Sequence, residues 1–155
     1  MAGRPRNARV RDSLGRPLPR DIGQAAEERI PDDLALAPAD AVRLADELLR
    51  DGRPFHAHEV LEASWKQGPS QERDLWQGLA QIAVGLTHAH RGNARGAVTL
   101  LRRGAQRTSP YQNHRYGMDI AGFRAAAEAL ADDIEHHGLA DIPATALRPS
   151  LIAHT

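Results

Sequence analysis

The sequence predicts an all-α domain of about five antiparallel helices, stacked in the manner of helical-hairpin repeats. Three observations carry that expectation. Apolar residues recur at helical spacing in successive stretches, no stretch alternates with period two, and Gly or Pro punctuates the chain where each stripe ends. The chain has only two each of Phe, Tyr and Trp, so its core must be built mainly from Leu, Ala, Val and Ile. Such side chains suit closely packed helices, and 155 residues suffice for one core of that kind.

Residues 1–38 read as an extended arm, 39–138 as the helical domain and 139–155 as a C-terminal tail. The first 20 residues hold six Arg against Asp12, with Pro5, Pro17 and Pro19 blocking regular helix. The first helix is expected to start after Pro38 and to run to Arg50, with Val42, Ala45, Leu48 and Leu49 on one face and Gly52 as its stop. Pro54 suits the first turn of the second helix, which runs to about Gln67. Gly68 and Pro69 break the chain, Ser70 is read as an N-cap, and the third helix follows from about Gln71 to Arg91.

Gly92 closes that helix and Asn93 caps the fourth, whose stripe is Ala94, Ala97, Val98, Leu101 and Ala105. After the loop SPYQNHRYG, Asp119 caps a fifth helix with Ile120, Phe123, Ala127, Leu130 and Ile134 on one side and Gly138 as its end. Pro143 and Pro149 mark the rest as loop. Residues 48–62 and 88–102 echo each other at an offset of 40, sharing Gly, Ala and Leu positions, as ordinary helix punctuation or a pair of stacked hairpins would produce.

Composition narrows function more than it identifies it. The 20 basic and 20 acidic residues balance, giving no global field for nucleic acid or membrane. The absence of Cys excludes disulfides, thiolate metal sites and cysteine nucleophiles, and fits a cytoplasmic protein. No apolar run is long enough to span a bilayer. Arg91, Arg95, Arg102, Arg103 and Arg107 occur without an intervening acid, which suits a solvated face before a phosphate-binding one.

The chemistry concentrates in FHAHEVLEASW, residues 55–65. A turn of about 100° per residue puts Phe55, His58, Leu61, Glu62 and Trp65 on one stripe, with His58 and Glu62 aimed inward and Glu59 at its edge. On the third helix Gln77, Gln81 and His88 share a stripe, flanked by Gly78 and Gly85, where another backbone should approach closely. A short connection would make the two helices antiparallel, setting Glu62 level with Gln77 and His58 level with Gln81. His88 falls about 10 Å beyond.

Three readings of this His–Glu–Gln seam compete. The groups satisfy one another and lock the helices together. Alternatively, they converge with Phe55, Trp65 and Trp76 on a pocket for a small ligand, or, in a catalytic version, Glu62 orients His58 as a general base. As a third reading, His58 and Glu62 are two ligands to a divalent metal, as i, i+4 pairs are in zinc-protease helices. No third ligand is evident and no other cofactor is implied. The H-x-H pairs 56/58 and 88/90 diverge by about 200° and cannot share an ion.

FHAHEVLEASW, LWQGLAQIAVGLTHAHRGNARGA and YGMDIAGF together resemble the bacterial, archaeal and plastid family called domain of unknown function (DUF) 309, over roughly residues 40–136. The resemblance implies a compact all-α domain without an established activity, and carries over His58, Glu59, Glu62, Trp65, Gln77, Gln81, Gly92 and Asn93. Thr108–Ser109–Pro110 departs from the apolar anchor expected at the end of the fourth helix. The sequence therefore ranks a binding or interaction module, with a small molecule or protein as partner, above a His/Glu acid–base or metal-dependent hydrolase. Arg-mediated nucleic-acid binding ranks below both.

Overall fold

The computed structural model describes residues 36–112 and 115–153. The expected arm up to residue 35 lies outside them, as do His114 and His154. The described residues form five α-helices: α1 (Pro38–Arg50), α2 (Pro54–Gln67), α3 (Arg73–His90), α4 (Ala94–Thr108) and α5 (Ile120–His137). Each packs on the next in chain order, α3 on α4 most extensively. Among the described residues there is no β-strand, only an isolated bridge between Met118 and Ile152. No described helix is long and apolar enough to cross a membrane.

The echo at an offset of 40 has a local cause. At Gly52 (φ 75°) and Gly92 (φ 84°) the chain turns left-handed after a helix. The Gly52 amide donates to Leu49 O and Arg53 N to Leu48 O; forty residues on, Gly92 N donates to Ala89 O and Asn93 N to His88 O. Each pair is a Schellman closure, which satisfies two terminal carbonyls and favours Gly at its pivot. The following helices start differently. Pro54 opens α2, whereas the Asn93 side chain accepts from Gly96 N to cap α4.

Ser70 does not cap α3. It opens a 3-10 turn over Ser70–Glu72, and the helix proper begins at Arg73. No side chain caps α3; Glu72, at the cap position, instead turns its carboxylate inward to accept from Trp76 Nε1 at 3.2 Å and from the Tyr116 hydroxyl at 2.7 Å. Arg115 closes this clasp at 3.2 Å.

The expected close approach at Gly78 and Gly85 is made by α4. A Cβ on Gly78 would lie 2.6 Å from Thr108 Cγ2 and 3.0 Å from Gly104 O, and one on Gly85 3.0 Å from Leu101 N. Reciprocally, a Cβ on Gly104 would meet Gly78 O at 2.5 Å. Gly78 opposes residues 104–108 while Gly85 opposes Leu101, so these two helices run in opposite senses. Thr108 is fully buried beside Gly78, its hydroxyl donating to Ala105 O, so its methyl group supplies the anchor expected from an apolar residue. On α5, Ile120, Phe123, Ala127, Leu130 and Ile134 are buried as their spacing predicts.

Among the described residues after Gly138 the one helical element is a 3-10 turn at Ala144–Leu147, yet this segment contributes to the core. Leu151 is fully buried. The Asp46 carboxylate of α1, 2% exposed, accepts from Leu151 N at 2.8 Å and Ile152 N at 3.1 Å. Asp46 lies on the same apolar stripe as Val42 and Leu49, so a polar group interrupts an otherwise hydrophobic face where two backbone amides of the C-terminal segment need an acceptor.

Candidate functional site

The core face of α2 is centred on Ala57, Val60 and Leu61, all essentially buried. As a group, His58, Glu62 and Trp65 are centred about 100° around the helix from the middle of that face, at its edge. They are half-buried, with the His58 side chain 19% exposed and that of Glu62 47% exposed. The expectation that both point into the interior is thus corrected: the face of α2 that packs inward runs through His56, Ala57, Val60 and Leu61, and leaves the His–Glu line on a rim.

That rim borders a cleft of about 290 Å³ among three helices. α2 contributes His58, Glu62 and Trp65, while α3 contributes Gln77, Ala80, Gln81 and Val84. α4 adds Leu100 and Arg107, two turns apart. A smaller recess of about 70 Å³ lies beside it, bounded by His58, Glu59, Glu62, Ala63 and Lys66. Glu59 therefore edges the recess and not the cleft.

Within the cleft the polar groups do not form the closed seam anticipated from the helical register. His58 Nε2 stands 3.6 Å from Glu62 Oε2, a charge contact longer than a good hydrogen bond. His58 donating toward the carboxylate holds Glu62 below its usual pKa, with the Lys66 charge assisting and partial burial opposing. Gln77 does not pair with Glu62: its Oε1 accepts from Arg107 Nη1 at 2.8 Å. Arg107 Nε also lies 3.8 Å from Asp74.

Three buried polar atoms of cleft residues have no hydrogen-bond partner among the described residues: His58 Nδ1, Trp65 Nε1 and Gln81 Oε1. Such atoms are scarce in folded proteins and each costs about 1–3 kcal/mol if left unpaired. One is a donor, one an acceptor, and the His58 nitrogen takes the role opposite to Nε2 in the neutral ring.

Three anticipated members stand elsewhere. Trp76, adjacent in sequence to Gln77, is turned about 100° from it and is buried against Tyr116, with ring centroids 5.9 Å apart. Phe55 packs on the His58 ring, 5.5 Å between centroids, but does not border the cleft. His88 is on the stripe of Gln81 but beyond the cleft, where its Nδ1 lies 3.1 Å from Asn93 Nδ2. Burial and the nearby Arg91 lower the pKa of His88.

Arg107 and Leu100 were not anticipated as site residues. Arg107 belongs to the acid-free Arg run, and its spacing of seven from Leu100 was the available signal. The same run loses Arg102 to Asp132 and Glu135, at 3.0 and 2.6 Å. Among the described residues no group of three or more His, Asp or Glu side chains is gathered as metal ligands would be.

Comparisons with known proteins bear on lineage. Residues 42–100 match the family described as "Domain of unknown function (DUF309)". This is narrower than the stretch its motifs suggested, and takes in the α2 and α3 walls and Leu100 but not Arg107. The chain is 44% identical over 48 residues to the "Uncharacterized protein YpuF" of Bacillus subtilis (strain 168), an overlap of 30% of this chain and 28% of that protein. The chain thus spans less than a third of that relative's length. No solved structure matches significantly. The stretch that matches the DUF309 family model runs from within α1 into the first half of α4, and the cleft's α2 and α3 walls lie inside it.

Proposed function

We propose that the chain is a binding module whose small polar ligand occupies the α2–α3–α4 cleft. One observation carries this reading: three unpartnered polar atoms, on Trp65, His58 and Gln81, belong to residues lining the same cleft. Groups serving only to lock helices would be expected to satisfy one another, since a half-satisfied buried network is worse than an apolar one. A cleft of about 290 Å³ lies near the lower end of small-molecule sites, and its mixed lining supports orientation by a few polar contacts.

The reading makes opposite predictions from a helix lock. In the ligand-free protein, Gln81→Met removes an unpaired acceptor at similar volume and should raise stability by about 1 kcal/mol while weakening binding. Loss of about 1 kcal/mol or more in the same variant would favour the structural lock and count against the proposal. Chemical unfolding of both proteins reads the difference.

A second reading, acid–base catalysis by His58, is favoured by one feature: Glu62 stands at Nε2 while Nδ1 lacks a partner. A carboxylate on one ring nitrogen can orient the other as a base. It ranks below binding because no nucleophile or reacting group is identified. An activity lost in His58→Gln, with ligand binding preserved, would raise it.

A further inference from the structure

Two charged residues bound the cleft from different helices. Glu62 projects from α2 and Arg107 from α4, with Gln77 and Gln81 of α3 along the same cleft. Among the described residues neither charge is spent on a strong partner. Glu62 has His58 at 3.6 Å, and Arg107 donates to Gln77, with Asp74 at 3.8 Å and largely exposed. Most of the guanidinium's donors remain for solvent or ligand.

The unpartnered atoms complete a pattern with polarity. Gln81 Oε1 requires a donor, and the half-buried Glu62 carboxylate is also an acceptor; together they suit an ammonium or amine group. Trp65 Nε1 requires an acceptor, as does a guanidinium edge, and a carboxylate supplies several acceptor sites. A ligand with only one charge would leave Arg107 or Glu62 facing it uncompensated, at a desolvation cost. One carrying both charges matches each.

Resting on the binding role proposed above, we infer that the cleft takes a small zwitterion of the amino-acid class, its carboxylate on Arg107 and its ammonium group at Glu62 and Gln81. Leu100, Ala80 and Val84 offer the ligand's carbon skeleton an apolar surface. Gln77 positions Arg107 through its 2.8 Å bond.

Trp65 and Trp76 give two indole N–H signals with different duties, because Trp76 Nε1 is bonded to Glu72 while Trp65 Nε1 is unpaired. The test is a titration of the full chain, followed by the tryptophan indole resonances in proton–nitrogen correlation spectra. The probes are the standard L-amino acids, first in pools and then singly, beside the amine and the carboxylic acid derived from each amino acid that binds. The expected result is that at least one amino acid moves the Trp65 signal and leaves that of Trp76 in place, while its amine and acid counterparts bind at least about tenfold more weakly. Arg107→Gln and Glu62→Gln should each weaken that binding by about tenfold. Both side chains are partly exposed, so the unchanged Trp76 signal serves as the check that each variant is folded.

If the singly charged counterpart of an amino acid binds as tightly as its parent, or moves Trp65 when no amino acid does, the cleft binds ligands but the zwitterion inference fails. If none of these probes moves Trp65, the inference fails. If a host-derived ligand of other chemistry is then found bound, the binding role survives without it.

Discussion

Replacing Gly104 by Ala perturbs the contact that sets α4, and with it Arg107, against α3. A Cβ there would lie 2.5 Å from Gly78 O and 2.9 Å from Ile82 N, both backbone atoms. Favourable non-bonded contacts of carbon begin near 3.5 Å, so α4 would have to withdraw by about 1 Å. Overpacking of this order costs about 1–3 kcal/mol, and rigid backbone on the far side argues for the upper part of that range. Ala returns about 1 kcal/mol over Gly in a helix interior. The net expectation is a loss of about 1–2 kcal/mol. Urea unfolding followed by helical circular dichroism measures it as a lower midpoint at an unchanged slope. Equal or greater stability would refute the reasoning, because propensity alone, without the close approach, predicts a gain.

Further outcomes follow from other contacts. Asp46→Ala should cost about 2–4 kcal/mol by leaving the Leu151 and Ile152 amides without their charged acceptor, and should expose the C-terminal segment to proteolysis; Asp46→Asn, which keeps an oxygen, should cost less. Tyr116 titrates above the usual tyrosine value because its hydroxyl donates to Glu72, so Glu72→Gln should bring that transition down in an ultraviolet pH titration. His88 and His90 have lowered pKa values, mainly through burial, so the folded chain holds fewer protons on them than the unfolded one. Their contribution is present above the unfolded value near 6.5 and is lost as pH falls through their lower folded values. Unfolding at stepped pH should show this decline, and His88→Gln should flatten part of it.

The parts of the molecule readable in the sequence are those decided locally. Asn93 and Asp119 cap helices because a side-chain acceptor three residues before an amide is a local geometry. Gly52 and Gly92 end helices for an equally local reason. Gly78 and Gly85 announced a close neighbour but not its identity, because spacing on one helix does not say which other helix arrives. Ser70 misled, since the start of α3 is set by the Glu72 carboxylate, which is held by Trp76 one turn on and by Arg115 and Tyr116 from a distant part of the chain.

The site divides in the same way. His58, Glu62, Trp65, Gln77 and Gln81 were brought to notice by spacing on two consecutive helices, and all five line one cleft. Their partnerships were not foreseen. Gln77 turns to Arg107, thirty residues on, and the rotation of α2 depends on which of its side chains the neighbouring helices bury, which a helical wheel does not contain. Trp76 shows the limit plainly: one residue from Gln77 carries it to the other side of α3.

The central claim is that the α2–α3–α4 cleft holds a ligand. Native mass spectrometry of the untagged chain purified from its own host, beside Glu62→Gln, tests it most directly. The account predicts a discrete added mass on the native chain, reduced or absent on the variant, with a value belonging to a small organic molecule. Bare chain mass in both proteins, with Glu62→Gln less stable, would contradict it and leave the His–Glu pair as a fastening between helices.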